Sequence, residues 1–199
     1  GESISLLFTL LQGETAMDKR VLVPVADGIE MIEALSIVDV FRRAGIQVDI
    51  ASVNERIITS SHGVKIEADG LINEYINADY DLIAVPGGIP GAENLQNSST
   101  LIDLLKRQNA ANKLYGAICA SPAVVLKQNG LLDEKNATCH PLFVANLSKE
   151  QFSEQKVVVD QNCVTSRGAG TSVDFALELL ELLAGKEKRE EVAKGMVTE

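Results

Sequence analysis

Short apolar runs alternate with amphipathic stretches along the chain after residue 16. Apolar runs of this length, bounded by turn residues, predict strands buried on both faces, here at 20–25, 47–53, 81–85, 114–118, 156–160 and 163–166. Helical patterns are predicted at about 30–44, 100–108, 123–130, 171–183 and from 187 onward, with a small hairpin at 57–58 and 64–66. Thr100-x-x-Asp103 resembles a capping box, and Thr171-x-x-Asp174 has the same spacing, so Thr100 and Thr171 are the predicted helix caps. Strands that alternate with helices favour a mostly parallel sheet with helices on both faces.

The domain organisation predicted from this pattern is a single α/β domain over residues 17–199. No repeat or linker-like change in composition interrupts it. Residues 1–16 are interpreted separately, as an N-terminal leader or a cloning remnant. Their apolar run at 4–11 has the length of a signal-peptide core but follows Glu2 and no basic residue, so a targeting peptide is the alternative.

The composition and charge of the chain limit the kinds of molecule that it is expected to bind. The chain has 199 residues, 46% of them hydrophobic, which is enough for one core. Its formal net charge is −10, and no basic patch stands out, so nucleic acid and membrane partners are not expected. Three cysteines at irregular spacing favour a reducing compartment, and we expect the cytoplasm. No paired metal-ligand spacing is present, so neither a metal nor a cofactor is expected.

The candidate nucleophile is Cys119, which follows the strand predicted at 114–118 and precedes a helix. Such a strand-to-helix turn exposes a nucleophile, and the N–H groups of a helix start favour the reactive thiolate. On this basis the pKa of the Cys119 thiol is expected to be depressed. The alternative is that Cys119 is a small core residue. Cys139 and Cys163 have no activating context and are interpreted as packing residues.

Other candidate groups lie at predicted strand ends, where ligands bind in parallel sheets: 26–33, 86–91, 119–122 and 166–170. Glu33 has apolar neighbours, so partial burial would keep its carboxyl protonated and able to donate to a thiolate; alternatively it is a solvated helix-dipole partner. The backbone N–H groups of Gly88 and Ala120 form a candidate oxyanion hole, although a turn explains the glycines equally well. His140 is a candidate proton carrier or an ordinary loop histidine.

These residues together make the chain resemble the ThiJ/PfpI superfamily, in the branch of the parkinsonism-linked protein DJ-one and its bacterial and plant relatives. The similarity covers about residues 19–197. It is carried, in order, by KRVLVPVADG-x-E-x-x-E, VDVFRRAGI, YDLIAVPGG-x-x-GA, AICASP, HP and TSRG-x-GTS-x-x-FAL.

The resemblance implies a flavodoxin-like three-layer sandwich, similar to class I glutamine amidotransferases, and a homodimer with the first helix near the twofold axis. It implies that Cys119 is the reactive cysteine, Glu33 the acid that hydrogen-bonds it, His140 the nearby histidine, and Gly88 and Ala120 the backbone donors. The chain departs from the pattern of the animal protein in having His62 where that protein has an arginine, Ser121 where it has a glycine and Ala169 where it has a proline. His62 puts anion binding there in doubt.

The resemblance also implies an activity. The leading hypothesis is a cofactor-free glyoxalase, or a deglycase, that acts on methylglyoxal and related α-oxoaldehydes or on glycated substrates through a nucleophilic cysteine and forms lactate from methylglyoxal. The rival hypothesis is an oxidative-stress sensor in which Cys119 becomes a sulfinic acid, and a third is a chaperone-like dimer. A peptidase is not expected, because the related proteases have a histidine where this chain has Ala120.

The first helix gives an independent reason to expect a dimer. Between residues 31 and 41 apolar side chains fall on nearly all sides, whereas a helix that covers one sheet has a broad polar face. The surplus apolar side needs a second copy or a later helix of the same chain.

Overall fold

The computed structural model describes residues 18–198 of the protein. The predicted leader at 1–16 lies outside this range. No helix among the described residues is long and apolar enough to cross a membrane.

The centre of the structure is a seven-stranded sheet in the order β5-β2-β1-β6-β7-β9-β8. All neighbouring pairs are parallel except β8 with β9, which is antiparallel. A separate antiparallel hairpin pairs β3 with β4. The strands are β1 Arg20–Val25, β2 Gln47–Ser52, β3 Ile57–Thr59, β4 Lys65–Glu67, β5 Gly70–Leu71, β6 Leu82–Val85, β7 Leu114–Ile118, β8 Val157–Asp160 and β9 Cys163–Ser166.

Within residues 18–198, five α-helices accompany the sheet: α1 Met31–Arg43, α2 Gly91–Gln96, α3 Ser99–Ala110, α4 Ser172–Ala184 and α5 Lys186–Gly195. α1 packs on β1, β2 and α4, and α3 packs on β7. The central strands are buried almost completely, because each apolar run faces helices rather than water. The mostly parallel α/β architecture predicted from the sequence is confirmed.

Several local predictions are wrong. The cap of α3 is Ser98, whose hydroxyl accepts from the Leu101 N–H at 3.2 Å, and not Thr100. At α4 the Thr171 side chain makes no capping hydrogen bond. The short elements β5 and α2 were not predicted. They are only two and six residues long, too short to show a period in the sequence.

The segment after β7 also differs from the ordinary helix that the sequence predicts. Residues Pro122–Leu126 form a π-helical turn, and Lys127–Asn129 continue it as a 3₁₀ turn. Gly130, with φ of 72°, ends the segment at the predicted place.

α1 is partly covered by the same chain, as the sequence left open. Its side chains at Ala34, Ile37, Val40 and Phe41 are buried. Ile32 and Leu35 are not covered, at 53% and 40% exposure. An apolar strip therefore remains on the outer side of α1.

Candidate active site

Cys119 occupies a sharp turn between β7 and the π-helical segment. Its φ is +68°, a left-handed conformation that a non-glycine residue adopts at a cost of about 1–3 kcal/mol. Two main-chain hydrogen bonds hold it there: its N–H donates to Ser166 O at 3.1 Å, and its carbonyl accepts from the His140 N–H at 2.8 Å. The side chain is half-buried, at the end of the sheet where β1, β6 and β9 also finish. The nucleophile elbow predicted from the sequence is therefore present.

Glycines let the end of β6 approach this turn. A Cβ at Gly87 would lie 2.7 Å from both the Cβ of Cys119 and the carbonyl oxygen of Ile118. Gly88 has φ of 89°, and a Cβ there would lie 2.6 Å from the nitrogen of Glu30. A larger residue at either position would push the β6 loop away from the sulfur.

Glu33 lies in the first turn of α1 and is 1% exposed, so the predicted burial is confirmed. Its Oε1 accepts from the Gly87 N–H at 2.9 Å. Its Oε2 is buried and has no hydrogen-bond partner within the described residues. The Cys119 thiol is the neighbouring side chain that acts on the pKa of this carboxyl.

The environment acts on the pKa of both groups. Burial raises the pKa of Glu33 to about 7, against the hydrogen bonds from Gly87 and Cys119, which lower it. Burial, together with the negative charge of Glu33, raises the pKa of the Cys119 thiol to about 12, although the N–H groups of Gly88 and Ala120 act in the opposite direction. The sequence predicts a depressed thiol pKa, and this prediction is wrong, because burial opposes the charged thiolate.

Cys119 can be reactive despite the raised pKa of its thiol if it shares a proton with the Glu33 carboxyl. When Glu33 is protonated, its charge no longer opposes a thiolate, and its O–H has the thiol sulfur as acceptor. The two groups therefore titrate as a pair, which loses one proton near neutral pH and keeps the second between sulfur and carboxyl. A proton that can move between them is what general acid–base chemistry at the sulfur needs.

His140 is tied to Cys119 through its backbone and not through its ring. The ring Nδ1 accepts from the Leu142 N–H at 3.1 Å, so a neutral imidazole carries its proton on Nε2. The ring packs edge-on to Phe143, with centroids 6.5 Å apart. Within residues 18–198 the ring makes no hydrogen bond to Cys119. In this tautomer His140 can donate a hydrogen bond from Nε2 but has no free lone pair for accepting a proton.

The other two cysteines lie in buried environments, as expected for residues that only pack in the core. Cys139 and Cys163 are buried, and burial raises the pKa of their thiols to about 11 and about 12. Arg167 donates from Nε to the Cys139 carbonyl at 3.1 Å. Its cation lies 5.7 Å from the centroid of the Phe152 ring.

Two residues with contacts at the site were not assigned a role from the sequence. Gly87, rather than Gly88, donates to Glu33; the Pro-Gly-Gly pattern indicates a donor loop but not which N–H serves which acceptor. Ser121 was noted only as a departure, yet it is fully buried and donates to the Pro86 carbonyl at 2.6 Å. No periodicity or motif spacing indicates such a contact.

The remaining departures are His62 and Ala169. His62 is exposed, with its Nδ1 3.9 Å from Oε1 of Glu30. Ala169 begins a 3₁₀ turn in the loop after β9. Among the described residues, no group of three or more His, Cys, Asp or Glu side chains could hold a metal ion.

Comparison with known proteins identifies the family of this site. The model of the DJ-1/PfpI family matches residues 19–182. The chain belongs to the DJ-1/PfpI family. Protein DJ-1 homolog B of Arabidopsis thaliana is 44% identical over 88% of the chain, which spans only 40% of that relative.

Two further relatives match at nearly their full length. Glutathione-independent glyoxalase DJR-1.2 of Caenorhabditis elegans is 34% identical and is 92% covered. The structure titled "Toxoplasma gondii DJ-1, oxidized" is 44% identical, with a TM-score of 0.89 over 90% of this chain and 98% of that one. The flavodoxin-like fold implied by the resemblance is thereby confirmed.

Proposed function

We propose that the protein is a glutathione-independent glyoxalase that converts methylglyoxal and related α-oxoaldehydes into 2-hydroxy acids. The observation that carries the proposal is the buried Glu33 carboxyl beside Cys119, together with the Gly88 and Ala120 N–H groups, which lower the pKa of the Cys119 thiol. The site thus combines a nucleophile, a proton carrier whose pKa lies near neutrality and main-chain donors. The nematode relative, named a glutathione-independent glyoxalase, supports the same reaction class.

The first step is addition of the Cys119 sulfur to the aldehyde carbon. The sulfur–carbon bond forms while the carbonyl π bond breaks and its electron pair moves to oxygen. Main-chain N–H groups at the Cys119 elbow stabilise this developing oxyanion, and the Glu33 carboxyl supplies the proton that makes a hemithioacetal. Glu33 then carries the negative charge and becomes the base for the next step.

The second step is an internal redox reaction. Ionised Glu33 removes the proton from the former aldehyde carbon, and an enediolate forms across the two carbons. Glu33 returns this proton to the neighbouring carbon, and the hydroxyl proton of the former aldehyde passes to the ketone oxygen, so that the ketone is reduced to an alcohol while the aldehyde is oxidised to a thioester. Water hydrolyses the thioester to lactate and releases Cys119. No external electron acceptor is consumed.

In these reaction steps His140 acts as a hydrogen-bond donor. Its Nε2–H is free to hydrogen-bond the substrate ketone oxygen, because Nδ1 is occupied by Leu142. A histidine that only donates a hydrogen bond does not carry the proton from one carbon to the other. To carry it, the imidazole would have to change its tautomer. Glu33 is therefore the principal acid–base group. Removal of glyoxal adducts from proteins, a deglycase activity, would reach the same hemithioacetal by another first step: the Cys119 sulfur would displace the protein amine from the former aldehyde carbon, and Glu33 would protonate the departing amine.

The test is methylglyoxal consumption with lactate formation in the absence of glutathione. Cys119→Ala is expected to abolish lactate formation, whereas Cys163→Ala, which removes a buried thiol outside the site, should retain it. Full activity in Cys119→Ala would overturn the proposal.

A second candidate function uses the same sulfur. The Toxoplasma structure, titled as oxidized, favours an oxidative-stress sensor. A peroxide would transfer oxygen to the Cys119 sulfur and leave as water, giving first a sulfenic and then a sulfinic acid. The protonated Glu33 carboxyl and the N–H groups at the elbow would hydrogen-bond the added oxygens. Mass spectrometry of Cys119 after graded peroxide treatment tests this role separately from lactate formation.

A further inference from the structure

Ser121 contacts the active site through a single peptide group. Its hydroxyl, fully buried, donates a 2.6 Å hydrogen bond to the carbonyl oxygen of Pro86. The N–H on the other side of that peptide bond belongs to Gly87 and donates to Oε1 of Glu33 at 2.9 Å. The residue after the elbow and the candidate acid therefore hold opposite ends of one peptide plane.

Planarity makes these two contacts interdependent. The C=O and N–H of a trans peptide point in opposite directions and rotate together. A rotation that took the Pro86 carbonyl away from Ser121 would also turn the Gly87 N–H away from Glu33. This peptide turns about ψ of Pro86 and φ of Gly87. Because Gly87 has no side chain, its φ is sterically free, and the hydrogen bonds at the two ends of the peptide are what hold its orientation.

We propose that Ser121 is a positioning residue for the acid–base pair: it fixes the Pro86–Gly87 peptide so that Gly87 N–H is directed at Glu33 and the following Gly88 N–H at Cys119. The inference deepens the proposed function, since it concerns the same pair. It gives a role to a residue that the sequence marked only as a departure from the animal pattern.

The contact also acts electrostatically. A donor on a peptide carbonyl polarises that peptide and strengthens its N–H as a donor, so hydrogen bonds in a chain reinforce each other. The Gly87 hydrogen bond lowers the pKa of Glu33. Loss of the Ser121 hydroxyl should weaken that bond and allow the Glu33 pKa to rise further.

A purely structural role for Ser121 predicts something else. A buried hydroxyl that only satisfies a carbonyl would, when removed, lower stability but leave the titration of Glu33 unchanged. A measurement of thermal stability therefore cannot distinguish a positioning role of Ser121 from a purely structural one, whereas the titration midpoint of the Glu33 carboxyl can. Because that midpoint is measured without an aldehyde, it stays interpretable even if the protein proves not to be a glyoxalase.

The experiment is a ¹³C NMR titration of the Glu33 carboxyl in the reduced full chain. In Ser121→Ala the midpoint should move upward by about half a pH unit. Ser121→Thr, which keeps the hydroxyl, should restore the wild-type midpoint. Ser52→Ala is the matched control: Ser52 is also buried, at 1% exposure, but its hydroxyl accepts from Asn54 at the end of β2.

A midpoint in Ser121→Ala that coincides with the wild type would overturn the proposal, as would an equal shift in Ser52→Ala. If Ser121→Ala does not fold, Ser121→Gly removes the same hydroxyl. The wild-type protein supplies a measurement that needs no variant, because a hydroxyl donating at 2.6 Å in the core should exchange slowly with solvent. A rapidly exchanging Ser121 hydroxyl proton would also overturn it.

Discussion

The main-chain N–H of His140 donates a 2.8 Å hydrogen bond to the carbonyl oxygen of Cys119. This bond places the histidine loop beside the elbow while the imidazole is held by Leu142. Proximity in the fold and participation in proton transfer are therefore separate properties of His140. The same distinction separates it from Glu33, whose side chain and not its backbone faces the sulfur.

The first prediction follows from this distinction. His140→Ala should lower kcat for methylglyoxal by about tenfold, because it removes one ordinary hydrogen bond to the substrate. Glu33→Gln should lower kcat by about 10²–10⁴-fold, because an amide cannot exchange the proton. Steady-state lactate formation measures both. Equal losses in the two variants would make His140 a proton carrier of the same rank as Glu33.

A second prediction concerns the reactivity of Cys119 towards iodoacetamide. The rate should rise around pH 7, where the Glu33–Cys119 pair loses its first proton, and then stay nearly constant up to about pH 9. Cys139 and Cys163 should stay unlabelled over this range, because burial raises the pKa of both thiols. Peptide mapping after short pulses at each pH gives the three rates.

Glu33→Gln is the control for that profile. Without an ionisable partner, the step near pH 7 should disappear, and the rate should follow the thiol alone. A wild-type profile with one midpoint well above pH 9 would contradict a shared proton.

A third prediction concerns stability and pH. Glu33 has a pKa of about 7 in the folded protein, whereas an unperturbed glutamate carboxyl has a pKa of 4.5. The folded state therefore binds more protons between these values, and its stability should fall as pH rises through them, by about 3 kcal/mol in all. Glu33→Gln avoids this loss, so its free energy of unfolding relative to wild type should increase between pH 4.5 and pH 8.

Guanidinium unfolding at the two pH values measures this difference. Glu93→Gln, an exposed acid in the first turn of α2, controls for the loss of one negative charge at a surface site. A difference between Glu33→Gln and wild type that is the same at pH 4.5 and pH 8 would show that Glu33 is not buried in ionisable form.

The sequence predicted correctly the features that depend on the local order of residues along the chain. Apolar runs predicted the sheet, and the position of Cys119 after such a run predicted the elbow, because both follow from local pattern. It was not sufficient for the thiol pKa. The donors favouring a thiolate are local to the turn, but the burial and the Glu33 charge that oppose it come from residues far away in the chain.

The same reason explains what was missed around Pro86. A Pro-Gly-Gly sequence indicates a tight loop, but Ser121 and Glu33 reach that loop from other elements, 35 and 54 positions away. Likewise, the sequence left open whether a second copy or a later helix would cover α1. In the structure α4 covers one side, and the outer side stays apolar.

The last prediction concerns that outer side. Ile32 and Leu35 are exposed, and together with Met31, Val38 and Met196 they line an open groove of about 610 Å³. A second copy related by a twofold axis would bury this strip against its own equivalent, as expected for an isologous interface. Light scattering at micromolar concentration should report roughly twice the 21.4 kDa monomer mass.

Leu35→Glu should reduce that mass to the monomer value, because a buried unpaired carboxylate at a twofold interface meets its own copy. Leu182→Glu is the matched control, since Leu182 on α4 has a similar exposure, 46% against 40%. Loss of the dimer in both variants would indicate general destabilisation instead of a defined interface. A wild-type mass that stays monomeric at every concentration would leave the strip without a second copy to cover it, and would restrict the active site to residues of one chain.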